Sequence, residues 1–158
     1  MMKHEIESMW MGKMQFNALV QGHTIIMDAP ERVGGENQGP IPKPFILSAL
    51  SGCTGMDVIA LLRKEGKTLQ HFNIKVSGEI SKHPPIEYVS VHLEYDMQGE
   101  PGMMEAAINA VKISQGKICG ISHMLKKIIP VTWVVIYNGE RVMTSEEAEL
   151  EDSVFHQN

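Results

Sequence analysis

The stretch from Pro44 to Gly66 constrains this chain most. Its apolar residues, from Phe45 and Ile46 through Leu50 and Val58 to Leu62, spread over nearly the whole circumference of a helix. The polar members between them, Ser48, Ser51, Thr54 and Asp57, are small. A helix apolar on most sides is a buried helix. Pro44 suits the first turn, where its missing N–H costs nothing, and Arg63-Lys64-Glu65-Gly66 ends the run with cations and a C′ glycine. At ~1.5 Å per residue the helix is roughly 30 Å long, about the width of a small domain. A chain of 158 residues barely covers such a helix on every side. An obligate homodimer, which supplies the remaining cover, is therefore expected.

In the middle of this helix stands Ser51-Gly52-Cys53-Thr54-Gly55-Met56-Asp57-Val58. Each flanking glycine costs helix stability, ~1 kcal/mol relative to Ala, which points to close backbone approach or to room for a ligand. The plain alternative is a small buried hydrophobe, the common state of a free cysteine. Asp57 lies one turn on, and a carboxylate there raises a thiol pKa, so an activating cation has to come from elsewhere.

Around this helix the sequence reads as strands first. Residues 5–28 suggest an antiparallel meander turning at Gln21-Gly22. Residues 29–44 hold four prolines and three glycines and form a loop. Phe72–Ile80 and Glu87–Tyr95 alternate apolar and polar on either side of Lys82-His83-Pro84-Pro85, as half-buried strands do. Helical periodicity follows over 103–115 and 117–128, interrupted at Gly116, and Val131–Tyr137 is a last strand. These blocks do not alternate singly, so the fold class is α+β with an antiparallel sheet around a long buried central helix. One domain is expected over 1–137, with 138–158 an acidic, flexible tail.

Composition removes several function classes. A formal charge of −5, with basic residues dispersed, argues against nucleic acid as a partner. No apolar run is read as a bilayer span of ~20 residues, and Met1-Met2-Lys3-His4-Glu5 has no apolar signal region. No membrane partner is expected, and the cytoplasm is the expected location. In that reducing setting two cysteines suggest a transient, catalytic disulfide rather than a scaffold.

Cys119 shares a helix face with Ser122, His123 and Lys126, close to the helix N-terminus. Dipole, histidine and lysine are expected to favour its thiolate. Cys119 and His123 have metal-ligand spacing, but with Cys53 they fall short of a structural zinc set, and no metal or other cofactor is expected. A Cys-His hydrolase is disfavoured because no oxyanion-hole turn or nucleophile elbow is present.

Gly34-Gly35 in a loop, followed by PIPKPFILSALSGCTGMDV and later by SQGKICGISHMLKK, resembles the OsmC/Ohr family of thiol peroxidases, on its OsmC-like branch. The resemblance covers roughly residues 8–137. It implies an intertwined homodimer with the cysteine helices packed at its centre. It also implies oxidative-stress defence by peroxiredoxin-like reduction of organic hydroperoxides. Cys53 is then the peroxidatic thiol, Cys119 the resolving one, and an external dithiol the reductant. Of the substrate-binding positions, Arg32 falls close to the family's loop arginine. Lys43-Pro44 stand where the family has a glutamate, and Lys43 is a second source of positive charge. The alternative is a non-catalytic dimer of the same fold that binds a small apolar ligand or senses redox state.

Overall fold

The computed structural model describes residues 3–155. The chain divides into two compact units, one ending at Ile46 and one starting at Leu47. The boundary falls two residues into the long helix, α1 (Phe45–Lys64).

The first unit is the expected meander. Strands β1 (Glu7–Gly12), β2 (Gln15–Val20) and β3 (His23–Met27) pair antiparallel in that order, with Trp10 opposite Phe16. The two-residue turn between β2 and β3 needs left-handed backbone, and Gln21 and Gly22 supply it at φ 49° and 84°.

The loop after β3 is ordered around one buried carboxylate. Asp28 accepts the backbone N–H groups of Ala29 at 2.7 Å, Glu36 at 3.0 Å and Gln38 at 3.1 Å. Those donors, Gln38 foremost, hold its pKa below the usual aspartate value despite burial. Gly35 sits so close to the returning chain that a Cβ would lie 1.9 Å from the Ala29 carbonyl oxygen.

The second unit is a four-stranded sheet in the order β4 (His71–Ile80), β5 (Tyr88–Gln98), β6 (Val131–Tyr137), β7 (Glu140–Thr144). The outer pairs are antiparallel, as the α+β reading expects, and β5 and β6 at the centre are parallel, which makes the sheet mixed. The reason is the connection between them. Parallel neighbours need a crossover of a dozen residues or more, and α2 (Met104–Ile113) and α3 (Gly120–Lys126) form it. Between these helices the expected break at Gly116 is a π-helical segment, Ser114–Ile118, closed by the Cys119 N–H donating to the Ser114 carbonyl at 2.9 Å.

Residues 140–155, read from the sequence as part of a flexible tail, form β7 and α4 (Ser145–Phe155). Val142 and Met143 pack on the core, Ala148 is buried, and Ser145 Oγ accepts the Trp133 N–H at 3.2 Å. Thr144 and Glu147 close a capping box, the Thr144 N–H donating to Glu147 Oε2 at 2.7 Å and the Glu147 N–H to Thr144 Oγ1 at 3.3 Å. The last three residues of that tail lie outside the described residues.

The core joins one face of the sheet to α1 and α2. Val91, Leu93, Tyr95 and Met97 of β5 and Trp133, Val135 and Tyr137 of β6 are buried, as their alternation requires. Along α1 only the i, i+4 stripe Leu50, Thr54, Val58, Leu62 is buried. The expected burial on every side is not met within one chain: Met56 is 71% exposed and Ile46 43%. A single sheet covers one side of a helix; Leu47, Cys53 and Leu61 beside the stripe are half-buried against the core, and the flank that carries Met56 is left open. At 20 residues, with a mean hydropathy of 1.8 over its most apolar stretch, α1 does have the length and apolarity of a membrane-crossing helix, contrary to the sequence expectation. Its buried stripe belongs to the protein core.

Candidate redox site

Helix α1 carries Cys53 beside the buried stripe, half-exposed. Cys119 is not inside a helix, as the 117–128 periodicity suggests, but is the N-cap of α3, extended at φ −66° and ψ 104° and 2% exposed. Its Sγ accepts the Ser122 N–H at 3.4 Å, the usual role of an N-cap side chain. The π-helical segment delivers Cys119 to α1, where the two Sγ atoms and a carboxylate oxygen of Asp57 lie within 4.8 Å of one another. Both thiols are free.

The electrostatics at Cys119 reverse the sequence expectation. Burial pushes its pKa up to about 11; the Ser122 N–H opposes this, while the neighbouring Cys53 thiol and the Asp57 charge add to it. The expected activating groups point to other tasks. Lys126 Nζ donates to the Gln115 carbonyl at 2.9 Å, and burial lowers its own pKa. His123 is exposed at the surface.

Behind the thiols runs a chain of buried hydroxyls and one amide that sequence reasoning missed. Ser122 Oγ donates to Gln115 Oε1 at 2.6 Å, and Gln115 Nε2 donates to the Tyr95 hydroxyl at 2.6 Å. At the other end Ser114 Oγ donates to Asp57 Oδ2 at 3.0 Å. Thr54 Oγ1 lies 2.8 Å from both Tyr95 OH and Ser114 Oγ. An ionised carboxylate only accepts, so Ser114 spends its proton on Asp57 and must accept from Thr54. Thr54 in turn accepts from Tyr95. The bonds therefore all point the same way, from Ser122 to Asp57. A signal was present: Tyr95 falls on the buried face of β5, and a buried tyrosine hydroxyl needs a partner.

Cys53, Asp57 and Cys119 offer three donor atoms to a cation, the number used by a catalytic zinc site and one fewer than a structural one. A pocket of about 230 Å³, lined by Gly116, Lys117, Ile118, Gly120 and His123, reaches Cys119. On the other flank of α1 lies a mostly apolar groove of about 650 Å³, lined by Met56, Ile59, Phe72 and Ile74 and also by Arg63 and Asn73. At Gly55 a Cβ would lie 3.0 Å from Ile74 Cδ1, the close approach the glycine suggests; Gly52 faces open space. Arg32 and Lys43 belong to the first unit, Arg32 exposed in a 3-10 turn (Glu31–Val33) and Lys43 half-buried two residues before α1.

A family model described as OsmC-like protein matches residues 35–134, which take in both cysteines, Asp57 and the whole hydroxyl chain. The chain belongs to this family. Protein YhfA of Escherichia coli (strain K12) is 27% identical over 111 residues, 70% of this chain and 80% of its own length. A hypothetical protein from Aquifex aeolicus VF5, 24% identical, superposes with a TM-score of 0.71 over 87% of this chain and 99% of its own. An organic hydroperoxide resistance protein OsmC from Legionella pneumophila, 12% identical, gives a TM-score of 0.61 over 85% and 96%. At these identities the solved structures speak for the OsmC-like fold.

Proposed function

We propose that this protein reduces organic hydroperoxides with Cys53 as peroxidatic and Cys119 as resolving cysteine. The observation that carries the reading is the meeting of the two sulfurs, from distant parts of the chain, within 4.8 Å. Membership of a family whose relatives include organic hydroperoxide resistance proteins supports it.

In the first step the Cys53 thiolate attacks the distal peroxide oxygen. The O–O bond breaks, the alkoxide leaves and takes a proton from water to become the alcohol, and a sulfenic acid remains on Cys53. In the second, Cys119 sulfur attacks Cys53 sulfur, water leaves and a disulfide forms. An external dithiol then returns both thiols. Arg32 and Lys43 are assigned to substrate binding. The reaction needs reduced thiols between turnovers, which the cytoplasm maintains.

The uncovered apolar flank of α1 supports a second proposal, that two copies associate. Burial of that flank is worth about 25 cal/mol per Å² of apolar surface. Sedimentation at micromolar concentration is expected to give a dimer, and a stable folded monomer overturns this.

The test of the activity is a thiol titration before and after one equivalent of cumene hydroperoxide. Two thiols are expected to disappear, and in Cys119→Ser a trappable sulfenic acid is expected on Cys53. Unchanged thiols sink the reading. The apolar groove of about 650 Å³ supports the alternative, a non-catalytic binder of a small apolar molecule. That alternative predicts unchanged thiols together with ligand-dependent stabilisation.

A further inference from the structure

Peroxide chemistry at Cys53 leaves a second problem for the site. Cys119 has to become a nucleophile while buried, with its proton held by its surroundings. Thiolate, not thiol, attacks sulfur. At pH 7 a thiol with a pKa of about 11 is ionised to roughly one part in 10⁴, by the definition of the acid constant. Some group must take the proton as the S–S bond forms.

The geometry points to Asp57 as the proton shuttle of disulfide formation, a catalytic residue distinct from the two cysteines. A carboxylate oxygen of Asp57 lies within 4.8 Å of both sulfurs. Its Oδ2 is occupied by the Ser114 hydroxyl at 3.0 Å, which fixes the orientation of the carboxylate. The directed chain behind Ser114 keeps that donor aimed, because Thr54 must donate to Ser114 when Ser114 donates to Asp57.

The step balances as follows. Asp57 accepts the proton of Cys119 Sγ, the sulfur attacks Cys53–SOH, and the S–O bond breaks. Asp57 then returns the proton to the departing hydroxide, which leaves as water. The carboxylate ends as it began. One group serves as base and then as acid because both sulfurs lie within 4.8 Å of one of its oxygens. The same negative charge opposes ionisation of a resting thiol. Asp57 therefore assists only when Cys53 carries a leaving group.

The groups facing this cluster are Cys53 on α1, Tyr95 on β5, and Cys119 and Lys126 on α3 and its cap, with Lys117 and His123 lining the pocket beside Cys119. Tyr95 stays protonated at working pH because burial raises its pKa. Lys126 is held by the Gln115 carbonyl.

This inference rests on the two-cysteine reading of the site, and its test is kept independent of peroxide. The reduced full-length chain is mixed with 4,4′-dithiodipyridine, and release of thiopyridone is followed by absorbance. The first equivalent reports a mixed disulfide on Cys53; the second reports attack by Cys119, and Cys119→Ser removes it. Asp57→Asn keeps an oxygen to accept from Ser114. It is expected to slow the second phase, taken relative to the first phase of the same trace, roughly a hundredfold or more, the range of general acid–base catalysis. In the wild type the second phase should level off several pH units below 11; in Asp57→Asn it should climb with pH toward the Cys119 value. A second phase of wild-type speed in Asp57→Asn overturns the assignment, as does a wild-type profile that itself climbs to pH 11. The wild-type profile stands even if the variant folds poorly. A normal second phase in a protein whose thiols ignore hydroperoxide would remove the peroxidase reading and leave Asp57 in place.

Discussion

Thr54 is the central link of the buried chain, and its replacement separates hydrogen bonding from packing. The side chain has no exposure and its Oγ1 has Tyr95 OH and Ser114 Oγ at 2.8 Å and Gln115 Nε2 at 3.3 Å. Thr54→Val keeps the volume and removes the oxygen. The Tyr95 O–H is left without an acceptor, which costs about 1–3 kcal/mol for a buried donor, and Ser114 loses its incoming bond. Thr54→Ser keeps the oxygen and removes one methyl, about 1 kcal/mol of apolar burial. The expected order of stability is wild type, Thr54→Ser, Thr54→Val, the valine variant about 2 kcal/mol below wild type. For a domain of this size that is roughly 4–8 °C in Tm. Urea unfolding of the three proteins measures it. If Thr54→Val is as stable as Thr54→Ser, packing governs the site and the directed chain is wrong.

Three further outcomes follow from the charges and the loop. Burial raises the folded-state Cys119 pKa from 9.0 to about 11, so its contribution to stability is complete below pH 9 and is lost as pH rises through 11; unfolding midpoints across pH 8–11 should show this fall, reduced in Cys119→Ser. The Asp28 carboxyl is held below 3.8 by backbone N–H donors, so its contribution is present above about pH 4 and lost as pH falls further; Asp28→Asn should flatten that acid limb and speed protease cleavage within 29–44 at neutral pH. Gly35→Ala meets the Ala29 carbonyl oxygen at 1.9 Å and should loosen the same loop, read as faster amide exchange at Glu36 and Gln38.

Local pattern made much of this fold legible. The alternation of Val131–Tyr137 gave a strand with those bounds, and the apolar density after Pro44 gave α1. What failed depended on distant neighbours. Periodicity shows that α1 is apolar all round but not what covers each flank, and one chain covers only the Leu50–Leu62 stripe. The acidic run after Ser145 outweighed Val142, Met143 and the Thr144–Glu147 capping box, which are the residues that fasten β7 and α4. At Cys119, the dipole and cations of its own helix argue for a thiolate. Burial, which no local reading contains, sets the opposite sign. The candidate site was half legible in the same way: both cysteines declare themselves, whereas Ser114, Gln115 and Tyr95 become a unit only after the π-helical segment, β5 and α1 meet.

The π-helical turn at Ser114–Ile118 has a consequence for how such a site can be gained or lost. A π turn is an α turn with one residue added. Winding the same five residues as α-helix instead would turn everything beyond them by roughly 100°. Ser114 would stay beside Asp57 while Cys119 turned away from Cys53. The wide turn, rather than either cysteine's own helix, is thus what makes neighbours of two thiols that an α-helical path would leave as strangers.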